Sequence, residues 1–254
     1  AETFRSVVKS REFQVHYQPI VHLGSRAVHH FEALARFNPN TGPADAIRMA
    51  EELELIESFD LAVAEKVLKR MRQPGAGLLK MAINVSGASL GDDAYVEQLL
   101  RMTAGAPEER RRLIVEVTET SAVADIEAAN RRLSALREAG IKVCIDDFGA
   151  GAAAFDYLRK LAVDAVKVDG AIVRDILTEE RSKTLLHSIV EMCRSMKLET
   201  IGEMIETEAV AAELKSAGVD YGQGWLFGRA EAEPRVQLSA PPAARRRGTV
   251  EAWG

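Results

Sequence analysis

Cysteine and long apolar runs are scarce in this sequence, and each scarcity narrows the possible functions. Only two cysteines occur, Cys144 and Cys193, and neither belongs to a CxxC motif. This disfavours a disulfide framework or a Cys/His zinc site, and we expect two buried thiols in a reducing compartment. The longest apolar runs are far shorter than the roughly 18 residues of a membrane-spanning helix, so none is predicted.

A basic face is also missing, because the formal net charge is −5. A general DNA- or RNA-binding protein would normally be basic, so we expect no nucleic-acid polymer as a partner. An anionic ligand would need local cations or bound metal. Because Ala1 is not an initiator methionine, we expect a piece of a longer cytoplasmic protein, which missing segments could tether to a membrane.

What the sequence does contain is an alternation of strand-like and helix-like patterns, which predicts an α/β fold. Its 254 residues suit one modified (β/α)8 TIM-like barrel. We place this single domain at residues 1–232 and predict that the Ala/Pro/Arg-rich residues 233–254 form a disordered tail. The predicted strands are Phe13–Val21, Val28–Phe37, Leu79–Val85, Leu113–Val117, Ile141–Ile145, Ala165–Val168, Glu199–Ile201 and Val219–Gly222.

The connection between the first two predicted strands is too short for a helical crossover. Only a turn at Gly24-Ser25 separates them. Since parallel neighbours need a long connection, we expect the first strand to run antiparallel to its neighbour.

Polar residues stand at the carboxyl ends of seven successive predicted strands, where the chemistry of a barrel is found. Several carboxylates in one mouth would raise each other's pKa values unless cations neutralised them. Oxygen ligands of this type suit Mg²⁺ or Mn²⁺, and two adjacent aspartates can serve two ions. The residues are Glu32, Asn84, Glu116, Asp146, Asp147, Lys167, Glu203 and Gln223.

Two features of this set leave more than one interpretation open. His30 lies two residues before Glu32 and therefore faces the same side, where it could reach a metal, although a histidine on the barrel wall is the simpler interpretation. Three carboxylates with Lys167 as a base would also suit an enolase-type barrel acting on a carboxylate substrate. That hypothesis leaves Asn84, Arg36 and Gln223 unexplained.

An ordered set of motifs from about residue 10 to residue 230 resembles the EAL-domain cyclic di-GMP phosphodiesterases of bacterial second-messenger signalling. A lone EAL tripeptide would carry no weight, but the ordered set is highly specific. It comprises Tyr17–Val21, Glu32-Ala33-Leu34 within Phe31–Phe37, Ile83–Ser86, Glu116–Thr120, Asp146–Gly149, Val166–Asp169, Glu203 with Glu206-Thr207, and Gln223–Arg229.

The resemblance implies a role for each matching residue in the hydrolysis of cyclic di-GMP to linear pGpG. Glu32, Asn84, Glu116 and Asp146 would bind one metal ion, and Asp147 would share in a second. Lys167 would help to hold the catalytic water, Glu203 would join the site, and Glu119 would anchor a loop. The expected ligand-binding residues are Gln18, Leu34, Arg36, Glu206 and Gln223.

The sequence departs from the family pattern in two places. The family usually continues Asp-Phe-Gly-Thr-Gly-Tyr-Ser-Ser, whereas here four hydroxyl-bearing residues are alanine within 147–154, and Met204 stands where glycine is usual. That loop orders the metal site and supports dimerisation in the family, so turnover and a homodimer are both open. The alternative hypothesis is therefore a catalytically weak or silent cyclic di-GMP receptor that signals to a regulatory domain outside this chain.

Overall fold

The computed structural model describes residues 2–37, 43–77, 79–118, 125–149 and 154–236. Eight strands alternate with helices along the chain. The strands are β1 (Gln14–His22), β2 (Val28–Arg36), β3 (Met81–Val85), β4 (Leu113–Thr118), β5 (Lys142–Phe148), β6 (Ala165–Val168), β7 (Glu199–Gly202) and β8 (Tyr221–Gln223). The helices are α1 (Glu2–Ser10), α2 (Pro43–Glu52), α3 (Ile56–Met71), α4 (Gly87–Gly91), α5 (Asp93–Met102), α6 (Pro107–Arg112), α7 (Ile126–Glu138), α8 (Ala154–Lys160), α9 (Gly170–Arg174), α10 (Glu180–Ser195) and α11 (Glu208–Ala217).

The strands close into one barrel in chain order, which confirms the predicted fold class. β1 runs antiparallel to both of its neighbours, β2 and β8, while the other neighbours are parallel. The cause is the tight turn after β1, where the His22 N–H donates to the Ala27 carbonyl at 2.9 Å and Arg26 takes a positive φ of 62°. The antiparallel first strand was therefore predicted correctly.

Two apolar layers hold the barrel together. The larger packs the helices against the outside of the strands, and the smaller fills the barrel interior. Cys144 belongs to the inner layer and Cys193 to the outer, and both are free, buried thiols as predicted. The inner layer consists of Ile20, Ala82, Ile114, Cys144, Ala165 and Ile201, with Tyr221 packed against it.

Both ends of α11 carry ordinary capping residues. Thr207 caps α11 by accepting a hydrogen bond from the Val210 N–H, and Gly218 ends the helix at a φ of 92°. The sequence patterns did not indicate α1. Within the ranges given above, none of the helices is long and apolar enough to cross a membrane.

The described chain continues past β8 and returns to the start of the barrel. Tyr17 and Glu231 exchange backbone hydrogen bonds of 2.7 and 3.1 Å, and Arg70 pairs with Glu233 at 3.0 Å. Residues 237–254 lie outside the described ranges, so the domain limit at 232 and the disordered tail stay predictions.

Candidate metal and ligand site at the barrel mouth

The polar residues predicted at the strand ends form the layer directly above the inner apolar layer. Successive side chains of a strand point to opposite faces, so a residue two positions further along points into the barrel again. Five strands repeat this step as Ala82 to Asn84, Ile114 to Glu116, Cys144 to Asp146, Ala165 to Lys167 and Ile201 to Glu203. Glu32 lies within β2 rather than at its end, because β2 extends along its hairpin partner β1.

Lys167 is the centre of this layer, and its side chain is only 1% exposed. Its Nζ lies near one oxygen of each of four carboxylates. The distances are 3.4 Å to Glu32, 3.2 Å to Glu116, 3.0 Å to Asp146 and 2.8 Å to Glu203. One ammonium group thus faces four acidic groups, and the sequence had predicted a fixed cation here but not its four contacts.

The pKa values of Glu32, Glu116 and Glu203 respond differently to this environment. Burial would raise the pKa of Glu32, but Lys167 and hydrogen bonds from Gln223 and Asn84 outweigh it and lower that pKa. Burial raises the pKa of Glu116 well above its usual range, and raises that of Glu203 to about 7. The expectation that these pKa values rise unless cations neutralise the carboxylates agrees with Glu32, where the lysine and the amide donors stabilise the charge.

Two amide side chains orient Glu32. Asn84 Nδ2 donates to Glu32 Oε1 at 2.8 Å, and Gln223 Nε2 donates to Glu32 Oε2 at 2.6 Å. The central carboxylate is thereby fixed from both sides, by β3 and by β8.

A bulge in β5 brings the adjacent aspartates to the same mouth. The register with β6 shifts between Ile145 and Phe148, and Asp147 takes a positive φ of 54°. A bulge re-aims a side chain that regular alternation would turn away. Burial and the nearby charges of Asp146 and Asp169 raise the pKa of Asp147.

The donor set fits hard divalent cations. Carboxylate oxygens of Glu32, Glu116 and Asp146 lie within 4.8 Å of one another, and so do those of Asp146, Asp147 and Glu203. Glu116 Oε1 is buried and has no hydrogen-bond partner among the residues that the structure describes. Oxygen-only donors and a buried acceptor without a partner are suited to a hard divalent cation.

His30 is not part of either acidic cluster. It is 2% exposed and faces the barrel interior, as its spacing from Glu32 predicted, but its Nδ1 lies 2.8 Å from His29 Nδ1. Burial lowers the pKa of His30 well below its usual range. The simpler interpretation, a histidine on the barrel wall, is supported.

Two cavities flank the acidic layer, and Leu34 lines both. The first cavity has a volume of about 390 Å³ and is also lined by Arg36 and Asn84. The second has a volume of about 290 Å³ and is also lined by Glu32 and Glu203. All five expected ligand-binding residues line one or both cavities, namely Leu34, Arg36, Gln18, Glu206 and Gln223. Glu119 lies outside the described residues.

One residue near the cavities was missed by the sequence patterns. Asp60, 6% exposed, lines the first cavity and accepts hydrogen bonds from the Ser86 N–H and Ser89 Oγ. Burial raises its pKa to about 6. An acidic residue on the apolar face of α3 was the available signal. Met204 and Trp225 line the second cavity and are 50% and 59% exposed.

Comparisons with known proteins agree with the resemblance noted in the sequence. The family profile described as EAL domain matches residues 1–230. The cyclic di-GMP phosphodiesterase NbdA of Pseudomonas aeruginosa is 32% identical over 235 residues, which cover 90% of this chain and 30% of NbdA. The cyclic di-GMP phosphodiesterase PdeB of Shewanella oneidensis is 31% identical over 233 residues, covering 87% of this chain and 27% of PdeB. The chain thus spans less than a third of either relative.

A similar fold is found in the structure of the PaMucR phosphodiesterase in complex with c-di-GMP. The TM-score is 0.83 at 28% sequence identity, and the match covers 91% of this chain and 96% of the PaMucR chain.

Proposed function

This chain belongs to the EAL domain family, and from that premise we propose that it binds cyclic di-GMP and hydrolyses it to linear pGpG with divalent metal ions. The observation that carries the proposal is the ring of four carboxylates around one buried lysine, between two cavities. The names of the two curated relatives support the same activity.

The acidic residues divide into two groups that would hold two ions. Glu32, Asn84, Glu116 and Asp146 would bind the first, and Asp147 would share in the second. Mg²⁺ or Mn²⁺ bound there would stabilise negative charge on the phosphoryl oxygens and make a water molecule more acidic.

The remaining polar groups would prepare the attacking water. Lys167 Nζ is a donor fixed among the carboxylates, so it can hold a water oxygen close to them. Glu203, whose pKa of about 7 is near neutral pH, can accept a proton from that water at a carboxylate oxygen. The anchoring role of Glu119 stays a prediction from the sequence.

The two cavities suit a ligand that has two similar halves joined by phosphates. With a phosphate at the acidic layer, one nucleoside half would extend into each cavity. Arg36 in the first cavity supplies a cation for a phosphate, and Gln18, Glu206 and Gln223 in the second supply polar contacts. The enolase-type hypothesis gives Arg36 and Gln223 no such role, and we do not retain it.

The direct test is to incubate the purified chain with cyclic di-GMP and Mg²⁺ or Mn²⁺ and to follow pGpG by chromatography. The Glu32→Gln variant keeps the shape of the side chain but removes its charge, so product should fall by about 100-fold or more. Glu97→Gln is a matched control, because Glu97 is an exposed residue paired with Arg101 on α5. Metal-dependent product that survives unchanged in Glu32→Gln would contradict the assignment of the site.

A parallel calorimetric titration in Ca²⁺, which should support binding without turnover, separates the enzyme from the receptor. Tight binding without product in Mg²⁺ or Mn²⁺ would identify a silent receptor and overturn the enzymatic part of the proposal. Neither binding nor product would overturn both parts. A regulatory domain outside this chain and a homodimer stay predictions.

A further inference from the structure

Met204 occupies a backbone conformation that favours glycine. Its φ is 53°, in the left-handed region that residues with a side chain rarely adopt. It directly follows Glu203 and lines the second cavity. A strained, exposed residue beside a site is a reason to look for a functional role.

The space for the Met204 side chain depends on Gly170 at the start of α9. A Cβ added at Gly170 would overlap the Sδ and Cγ of Met204. Arg174, at the other end of the same short helix, places its Nη2 3.9 Å from Sδ. The methionine therefore lies across α9, and only glycine at position 170 leaves room for it there.

Met204 and Trp225 are the two large exposed apolar side chains of the second cavity. They are 50% and 59% exposed, whereas the same cavity also contains the polar groups of Glu203, Glu206 and Gln223. Arg229 covers the Trp225 ring at 4.2 Å from its centroid. Methionine is unbranched and polarizable, and it contacts aromatic rings favourably. The side of the cavity formed by Met204 and Trp225 is thus suited to a flat aromatic group.

We propose that Met204 determines the affinity of the second cavity by packing its side chain against a purine base of the bound dinucleotide. This inference rests on the proposed function, since that function supplies the base. The contact is apolar and involves no group whose charge or protonation changes during hydrolysis. It therefore stabilises the ground state and the transition state equally, which changes KM and leaves kcat unaltered.

The first experiment compares Met204→Gly with the wild type. Glycine suits the φ of 53°, so the variant should fold with an unchanged or higher Tm. Loss of the apolar contact should raise the KM for cyclic di-GMP by about tenfold and leave kcat within about twofold. Met196→Ala is the matched control, because Met196 is 42% exposed and lines neither cavity, and it should leave both constants unchanged.

The second experiment uses Gly170→Ala to displace Met204 without altering it. The added methyl group should raise KM in the wild-type background, because it occupies the space of the methionine side chain. In the Met204→Gly background the same change should have no effect, since nothing remains to be displaced. Such non-additivity is the signature of two residues that act through one contact.

The outcomes distinguish a failure of the Met204 contact from a failure of the proposed cyclic di-GMP binding and hydrolysis. A wild-type chain that neither binds nor hydrolyses cyclic di-GMP overturns both. If the wild type binds without turnover, the same variants are compared by their Kd in Ca²⁺, with the same tenfold expectation. A functional wild type with an unchanged KM or Kd in Met204→Gly overturns this inference alone, and so does an effect of Gly170→Ala that persists without the methionine.

Discussion

Lys167 supplies the buried positive charge for four carboxylates, and that balance can be tested by removing it. In Lys167→Met without metal, the acidic groups lose their counterion, so the free energy of unfolding should fall by about 3 kcal/mol. Added Mn²⁺ should restore more stability to the variant than it adds to the wild type, because the ion replaces the lost charge. Urea unfolding in EDTA and in Mn²⁺ measures both effects.

The control for that experiment is Lys142→Met. Lys142 pairs with Glu199 at 2.8 Å, but its side chain is 43% exposed, so its loss should cost less than about 1 kcal/mol. Equal stability of Lys167→Met and the wild type in EDTA would show that the four contacts do not balance charge as described.

The raised pKa of Glu203 should make the stability of the metal-free protein depend on pH. Its pKa in the folded chain is about 7, above the ordinary 4.5, chiefly because of burial. The stabilisation from its protonated form is complete below the ordinary pKa and is lost as the pH rises through 7. Relative to a Glu203→Gln variant, the free energy of unfolding of the wild type in EDTA should therefore fall between about pH 4.5 and pH 7.

The same titration should make metal binding stronger as the pH rises through 7, because Glu203, whose oxygen lies within 4.8 Å of oxygens of Asp146 and Asp147, becomes negatively charged beside the metal site. Glu203→Gln should flatten both pH profiles, as measured by urea unfolding and by Mn²⁺ titration. A Glu203→Gln variant with the wild-type slope in both would assign the pH response to another group.

At the scale of elements, the connection from β7 to α11 packs against the end of β8 so closely that Gly224 cannot carry a side chain. Its φ is +156°, and an added Cβ would overlap the backbone of Ile205. Gly224→Ala should lower the free energy of unfolding, measured by urea unfolding, by about 2 kcal/mol or more. It should also weaken cyclic di-GMP binding, because the ligand-binding residue Gln223 directly precedes Gly224. Gly75→Ala is the control, since Gly75 has a φ of +82° but open space around it. This variant should lower the free energy of unfolding by about 1 kcal/mol. Equal losses in the two variants would contradict the close packing.

The alanine-rich loop after β5 gives a prediction that comes from the sequence, because residues 150–153 lie outside the described ranges. Restoring the family's hydroxyl groups requires Ala150→Thr, Ala152→Tyr, Ala153→Ser and Ala154→Ser. If the missing hydrogen bonds misplace metal ligands, the combined variant should raise kcat by about tenfold or more with little change in Kd. Initial rates and calorimetry measure the two constants, and an unchanged kcat would show that the altered loop is tolerated.

At the scale of the whole molecule, the barrel and most of its mouth could be predicted from the sequence, because both follow from alternation. An inward apolar residue such as Ile114 fixes the direction of Glu116 two positions later, and the same step recurs in neighbouring strands. The hairpin turn at Gly24-Ser25 similarly required an antiparallel first strand. These features are local in the chain, which is why a sequence pattern can reveal them.

Features that depend on contacts between distant segments could not be predicted in this way. The contact between Met204 and Gly170 joins the connection after β7 to the start of α9. The hydrogen bonds from Ser86 and Ser89 to Asp60 likewise connect α3 to the end of β3. The lowered pKa of Glu32 was missed for the same reason, because its amide donors come from β3 and β8.

The central claim is that the carboxylates around Lys167 form a divalent-metal site that holds the phosphate of cyclic di-GMP between two cavities. A crystal structure of the chain with Mn²⁺ and a non-hydrolysable analogue of cyclic di-GMP, with anomalous scattering recorded at the manganese edge, tests that arrangement. We expect anomalous density among Glu32, Asn84, Glu116 and Asp146, with nucleotide density in both cavities. Manganese bound away from these residues, or nucleotide outside the two cavities, would contradict it.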